Sequence, residues 1–598
     1  MWSISLDDTI KYLVPTEEYW VIDIEADSLK PTRVWCAVVQ NVITEELLAF
    51  LTMAELRDWF NQAPRVLVGH NILSFDGPVL NRLWRAGIDL HRCVDTLVLS
   101  FLDHPQRPDG HALDAWGVRL GSAKLNFNKW DQFSQEMLEY CVQDVKLTRL
   151  LYLHLCQIME DFSEESAEIE HRTRIIIDRM QDRGVLFDVE GARRLYDTLR
   201  ERERVLGEQI HSVFPPKLVV AGVYAYRTKK DGTPYSSYLR HVERYERVQF
   251  NRSGTQYRVF ERRPFNIGSP TQRVERLLEL GWKPTQFTPK GNPKVDEESL
   301  LAFSETDETG ASKSMAEWLV CNGRANMINN WLEAVDTHDN RIRPRVFSCG
   351  AGTRRMRHTQ PNTANIPGIH APYGPECRAL WTVGAGRKLV GCDAERLEAL
   401  VLVHYLGNES AAKYFLEGDA HQANADAIGC ERGPGKNIFY AFLYGASDRK
   451  LGSMVGAGAK RGAEIRQALI KNIPGLEVLV ESVTTEFNEN NGRLQTVDGG
   501  YVRCPSVHAA LNYKFQSAGA ILMKKAGILL ESYLDDVNYS AFRVLDVHDE
   551  WQYDVAEDEA DLAGGLMVKS IQDAGRALKF NVPMNGAYIV GNNWAETH

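Results

Sequence analysis

The chain has 598 residues, 44% hydrophobic and 25% charged, with a net charge of −11. That length exceeds what one hydrophobic core supports, so roughly three to five domains are expected. No run of about 20 apolar residues is present to cross a membrane, the opening MWSISLDDTIKYL lacks the pattern of a signal peptide, and ten scattered cysteines without a CxxC pair read as a reduced cytosolic protein without a zinc site.

Residues 19–26, YWVIDIEA, form an apolar run ending in acids, and WCAVVQ follows; both read as strands, as does VLVGHN at 66–71. Residues 134–158 read as a helix, closing an α/β unit near Cys156. The segment 169–184 is an amphipathic helix stopped by Gly184. Residues 214–264 hold eleven Lys/Arg against four Asp/Glu, a basic island in an acidic chain. The island is strand-like, VVAGVYAYR and YRVFERR, with a turn at Lys230–Asp231–Gly232. It either faces an anionic partner or is a solvated basic hairpin. Helical patterns return at 270–281 and 315–334, with SETDETGASKS at 304–314 expected as a mobile loop between them. From about 345 the chain mixes α and β to its end.

Three acidic clusters fall in the first 150 residues. Asp23 and Glu25 share one face of a strand by its period of two. Asp76 ends the segment Asn71–Asp76, and Tyr140 and Asp144 are four apart on a helix, hence on one side. Phosphodiester cleavage by two metals needs about four carboxylates around cations spaced about 3.5–4 Å. Tyr140 is suited to orient the attacking water. An Asp-x-Glu alone would be a solvated strand face; the ordered set is what points to a nuclease.

A second constellation lies downstream. Asp393 ends a strand in KLVGCDAERLEAL, and Asp549 sits in VLDVHDEWQYDV, at a turn between two strands. Two such aspartates brought together hold two Mg²⁺, with the Ala394 carbonyl as a further ligand. VHDE alone fits a surface hairpin equally well. Between the two, Arg432, Lys436, Tyr440 and Tyr444 recur every four residues. On a helix this stacks two cations for a triphosphate and two rings for a base pair along one face. Gly445 then ends the helix.

These segments resemble motifs A, B and C of family A DNA polymerases, in order. Thr353-Arg354-Arg355 with PNTANIPG (361–368), GDAHQ (418–422) and HAALNYKFQSAGA (508–520) resemble further family signatures. The first cluster set resembles the tyrosine-bearing branch of DEDD 3′→5′ exonucleases. Similarity to phage replicative polymerases is carried by DTLVLS (95–100), GHALDAWGVRLG (110–121), IEHR (169–172) and APYGPECRA (371–379). The resemblance implies a multidomain α/β and α+β chain: a ribonuclease H-like exonuclease domain (1–160), a thumb (161–345) with the insertion 214–264, palm (346–418), fingers (419–495) and palm again (496–598).

The resemblance further implies a template-directed DNA polymerase of viral replication with proofreading, acting in the host bacterial cytoplasm. Asp393, Asp549 and Ala394 would hold two Mg²⁺, and Asp23, Glu25, Asp76 and Asp144 two more, with Mn²⁺ as a substitute. His421, Arg432, Lys436, Tyr440 and Tyr444 would bind the nucleotide, and Glu398 would crowd a ribose 2′-OH. Arg355, Asn362, His508, Asn512 and Gln516 would contact primer-template DNA. In the insertion, Lys229, Lys230, Arg240, Arg262 and Arg263 would meet duplex phosphates, while the interleaved tyrosines pack a small core or a partner. Host thioredoxin or another processivity factor, and a replicative helicase-primase, are the partners the resemblance suggests. Four positions depart from the family: Leu400 where Arg is usual, Arg354 where Gly is usual, and Pro434 with Gly435 near the start of the fingers helix. A repair polymerase, an inactive DNA-binding factor and a stand-alone nuclease are the competing readings. The intact exonuclease carboxylates and the phage-like segments argue against the first, the complete carboxylate sets against the second, and the roughly 400 residues after the nuclease segment against the third.

Overall fold

The computed structural model describes residues 10–288 and 290–598, so most of the N-terminal stretch read above for a leader lies outside them. Two compact units are formed. One takes the described residues up to Phe187 together with Asp336–Ile366 and Trp381–His598; the other takes Asp188–Val335 and Pro367–Leu380.

The first unit opens with a five-stranded sheet. Its strands are β1 (Tyr19–Ala26), β2 (Val34–Asn41), β3 (Leu47–Phe50), β4 (Val66–Gly69) and, after helix α1 (Asp76–Leu83), β5 (Cys93–Asp95). Their order is β3-β2-β1-β4-β5, with β1 antiparallel to β2 and parallel to β4. Alternation along β1 divides two cores. Trp20, Ile22 and Ile24 pack with Trp59 and Leu80 on one face. Tyr19 and Val21 pack with Cys141 and Val145 of helix α2 (Gln135–Ile158) on the other. Asp23 and Glu25 continue the second set, so period two points them at α2. Ser134 caps α2, its hydroxyl accepting from the Met137 amide at 3.1 Å. Helix α3 (Glu164–Arg183) starts at Glu164, ahead of the expected 169, because Ser163 supplies an N-cap there. Gly184 stops it at φ 64°.

The second unit is built on two long helices, α4 (Val189–Val213) and α6 (Ala311–Ala334), packed against each other. The basic island is more than a hairpin. Strand β6 (Lys217–Ala225) pairs antiparallel with β8 (Gln256–Arg263), but helix α5 (Ser236–Arg244) and strand β7 (Arg247–Phe250) intervene, giving a sheet of order β6-β8-β7. Tyr224, Tyr226, Tyr238, Phe250 and Tyr257 form its small aromatic core, with Tyr257 fully covered. The Lys230–Gly232 turn is present, with Gly232 at φ 83°, yet it precedes α5 instead of joining the paired strands. The expected loop at 304–314 is shorter. Helix α6 begins at Ala311 because Asp307 accepts from the Ser312 amide (2.7 Å) and hydroxyl (2.6 Å).

The rest of the first unit centres on a four-stranded antiparallel sheet. Strand β9 (Arg387–Ala394) leads into helix α7 (Leu397–Leu406). Helices α8 (Ala420–Ile428) and α9 (Arg432–Leu443) follow, and then the long α10 (Ala510–Val537). Strands β10 (Ala541–Val547) and β11 (Glu550–Ala556), helix α11 (Ala560–Ala577) and strand β12 (Gly586–Gly591) close the chain, in sheet order β10-β11-β9-β12. Val390, Trp551, Tyr553 and Val555 of the sheet share one core with Ile521 and Leu530 of α10 and with Met567 and Ile571 of α11. No helix among the described residues is long and apolar enough to cross a membrane.

Candidate active sites

The first site lies between β1 and α2. Asp23 and Glu25 face the helix that carries Tyr140 and Asp144, and Asp76 begins α1. Burial, and then the charges of Asp76, Glu25 and Asp144, push the Asp23 carboxyl well above the usual carboxylate range. Burial, and after it Cys36 and Asp144, carries Glu25 up to about 9. Burial takes Asp76 to about 7, against the pull of backbone amides. Asp144 is also raised by burial, although Lys124 and Tyr140 oppose the shift. Glu25 Oε1 and Asp144 Oδ1 are buried without a hydrogen-bond partner. Ligand atoms of Asp23, Glu25 and Cys141 lie within 4.8 Å of one another. Repelling, partly unsatisfied carboxylate oxygens are a donor set that fits a hard divalent cation.

Sequence reasoning missed Lys124, whose Nζ lies 2.5 Å from Asp144 Oδ2 and 5.0 Å from the Tyr140 ring centre. It missed Asp95 as well. That buried carboxylate accepts from the amides of Asn71 (2.8 Å), Leu73 (3.2 Å) and Leu97 (2.9 Å), and so shapes the loop leading to Asp76. Lys124 stands in no singled-out motif, and Asp95, although it opens the segment DTLVLS, gains its role only from the fold.

The second site sits at one end of the four-stranded sheet. Asp393 is the penultimate residue of β9 and pairs with Glu550 of β11. His548 and Asp549 make the two-residue turn from β10 to β11, with His548 at φ 62°. The Ala394 amide donates to the Asp549 carbonyl at 3.1 Å, tying the two segments together. Asp393 keeps an open edge, but surrounding protein and then Asp549 and Glu550 push its carboxyl up to about 7. Burial and then Glu398 take Asp549 to about 6. Two adjacent carboxylates that resist sharing negative charge also fit divalent cations.

Helix α9 presents Arg432, Lys436 and Tyr440 on successive turns, and Tyr444 is its C-cap. Arg432 Nε is paired with Asp419 Oδ2 at 2.8 Å on the surface, and Lys436 is exposed. The His421 ring lies 5.7 Å from that of Tyr440. The Tyr444 hydroxyl donates to Glu398 Oε1. Arg355, Glu398, Tyr444, Asn512 and Gln516 line one pocket, with Gln516 Nε2 donating to Asn512 Oδ1 at 2.8 Å. His508 is exposed in a single helical turn. Asn362 is exposed, and its side chain caps the turn Thr363–Asn365. Lys229, Lys230, Arg240, Arg262 and Arg263 are all exposed in the other unit. Arg262 pairs with Glu246 (2.9 Å) and Arg263 with Glu261 (2.7 Å).

Gly435, Leu400 and Arg354 acquire physical reasons, and Pro434 falls in the first turn of α9, where its missing N–H costs no intrahelical bond. A Cβ at Gly435 would come within 2.5 Å of the Ala425 Cβ, so glycine lets α9 lie against α8. Leu400 is buried in the apolar core of the unit. Arg354 sits at φ 60°, a conformation that suits glycine. Its side chain is wholly buried among Glu170, Asp498 and Ser166.

Comparison with known sequences decides the lineage: the profile of DNA polymerase family A matches residues 238–596. The chain belongs to DNA polymerase family A. The DNA-directed DNA polymerase of Escherichia phage T7 is 29% identical over 97% of this family A chain and 100% of its own. DNA polymerase I of Aquifex aeolicus is 23% identical over 97% of this chain and 96% of its own. Among solved structures, the POL domain of Pol1 from M. smegmatis, in complex with DNA primer-template and dNTP, superposes with a TM-score of 0.74. It is 18% identical and covers 96% of this chain and 95% of its own, a likeness of fold. The second site therefore lies in the segment that defines the family, and the first precedes it.

Proposed function

We propose that this phage-type family A polymerase extends the 3′ end of a DNA primer on a template from deoxynucleoside triphosphates, and that its first site excises nucleotides from the same end. The observation that carries the reading is the meeting of Asp393 and Asp549 at one sheet end, beside a helix of cations and rings, in a chain of this family.

Asp393, Asp549 and the Ala394 carbonyl would hold two Mg²⁺, for which Mn²⁺ can substitute. When bound, the pair acidifies the primer 3′-OH and offsets the charge on the departing pyrophosphate. Arg432, freed from Asp419, joins Lys436 and His421 in gripping the triphosphate by charge-assisted hydrogen bonds. The rings of Tyr440 and Tyr444 stack on the nascent base pair, while Glu398, held by Tyr444, crowds a ribose 2′-OH. Arg355, Asn362, His508, Asn512 and Gln516 position the primer-template. At the first site, Asp23, Glu25, Asp76 and Asp144 would hold two further cations, and Tyr140 orients the water that attacks the terminal phosphodiester.

Primer extension with Mg²⁺ and with chelator tests the reading. Mg²⁺-dependent, template-directed addition of deoxynucleotides is expected. A folded chain that binds primer-template and adds nothing would contradict it.

A further inference from the structure

Helix α3 carries two adjacent, fully buried polar residues, Glu170 and His171. They serve different partners. Glu170 Oε1 accepts from Arg354 Nε at 3.0 Å and Nη2 at 2.8 Å. Both of its oxygens also accept from Lys524 Nζ of α10, at 2.7 and 2.8 Å. Arg354 Nη1 continues to Asp498 Oδ2 at 2.7 Å and Ser166 Oγ at 3.1 Å, and Lys524 Nζ donates to the Arg354 carbonyl at 2.8 Å. Two cations and two anions thus form a neutral quartet sealed from water. Arg354 is the residue before Arg355, in a loop closed by the Arg355 carbonyl accepting from Gly350 and Ala351 at 3.2 and 3.0 Å. Arg355 lines the pocket with Glu398, Tyr444, Asn512 and Gln516.

His171 serves the other site. Its Nδ1 meets the Ala167 carbonyl at 2.7 Å, and its Nε2 accepts from the Asp95 amide at 2.9 Å. Asp95 in turn holds the amides of Asn71 and Leu73, in the loop that ends at Asp76. One helix therefore grips the polymerase primer loop with one residue and the nuclease loop with the next. Buried ion pairs add little net stability over well-packed apolar groups, and their attested use is to fix one arrangement against alternatives. Holding an arginine at positive φ to complete the quartet is consistent with that use.

We propose that Glu170 and Arg354 are positioning residues whose ion pair sets how a primer end divides between extension and excision, by locking the primer loop to the helix that also holds the nuclease loop. The inference rests on the proofreading reading above. A double-mutant cycle measures the coupling. Glu170→Gln keeps the shape of the residue. Arg354→Gly fits φ 60° without strain. Each single variant leaves the quartet unbalanced by one charge, whereas the double variant restores neutrality without restoring the link.

The full-length chain is given a 5′-labelled matched primer-template with the next nucleotide. Nucleotide incorporated and monophosphate released are measured together, beside cleavage of a single-stranded oligonucleotide and thermal unfolding. Both single variants and the double variant are expected to raise the excision-to-incorporation ratio about tenfold. The change should come from a lower kcat for addition at unaltered nucleotide KM. Single-strand cleavage should stay within about twofold, and the two changes should not add, since they break one link. A double variant that returns to the wild-type ratio would show that unbalanced charge was the cause, and would overturn the proposal. Additive effects, or an unmoved ratio in a wild-type background that cleaves single strands, would overturn it too. A wild-type chain that does not cleave single-stranded DNA overturns the nuclease reading itself, a distinct result.

Discussion

Raising the pH from 6 to 8 should tighten divalent-cation binding at the carboxylates of the first site by at least about two orders of magnitude. The perturbation acts on protons that a cation must displace. Glu25 is pushed up to about 9 and Asp76 to about 7, with Asp23 and Asp144 also raised. Throughout that interval Glu25 holds its proton, which costs binding about tenfold, or 1.4 kcal/mol, for each pH unit below its pKa. Asp76 passes from mostly protonated to mostly ionised over the same interval and adds about a further tenfold. The same protons bear on folding. Both groups have folded values above their ordinary 4.5 and 3.8, so the stability they contribute is fully present below those values. Without a cation it is lost as pH rises through about 7 for Asp76 and about 9 for Glu25. Calorimetric Mn²⁺ titrations at several pH values, in buffers of different ionisation enthalpy, would count the released protons. An Asp393→Ala/Asp549→Ala chain confines the signal to the first site. Affinity that does not change with pH, with no proton released, would refute the reasoning.

Tyr440 should make the enzyme accept dideoxynucleotides, its hydroxyl replacing the absent 3′-OH in the hydrogen-bond network at the triphosphate. Tyr440→Phe should restore discrimination worth about 1–3 kcal/mol, read by competition between deoxy- and dideoxynucleotide. Replacing 214–264 with a Gly/Ser linker should leave single-nucleotide addition intact, shorten the product made per binding event under trap challenge, and flatten the salt dependence of DNA affinity. Unchanged product lengths, with and without thioredoxin, would remove that role. Gly435→Ala should lower the unfolding temperature and weaken nucleotide binding, because its Cβ would meet the Ala425 Cβ at 2.5 Å and lever α9 off α8.

Much of this architecture is legible in local pattern. Alternation along Tyr19–Ala26 assigns Asp23 and Glu25 to the helix-covered face, and the four-residue spacing of Arg432, Lys436 and Tyr440 aligns them on α9. Interactions that depend on chain crossings are not legible. Lys124 reaches Asp144 from a loop of no distinctive composition. Glu170, Arg354, Asp498 and Lys524 are scattered over more than 350 residues and meet only in the folded core. Arg354 left a trace, as a side chain standing where glycine is usual, but its partners could not be read from it. In the basic island, α5 and β7 fall between the paired strands, and a motif of alternating residues gives no measure of what is threaded between them.

The two metal sites proposed to act on one primer end should be silenced separately. A 5′-labelled primer-template with all four nucleotides and Mg²⁺ should be lengthened by the wild-type chain. Asp23→Ala/Glu25→Ala should still lengthen it at a near-normal rate while losing the power to shorten it without nucleotides. Asp549→Asn, which keeps shape but removes charge, should lose extension by several orders of magnitude and still shorten the primer. A folded Asp23→Ala/Glu25→Ala chain that loses both activities together, or an Asp549→Asn chain that extends normally, would contradict the account.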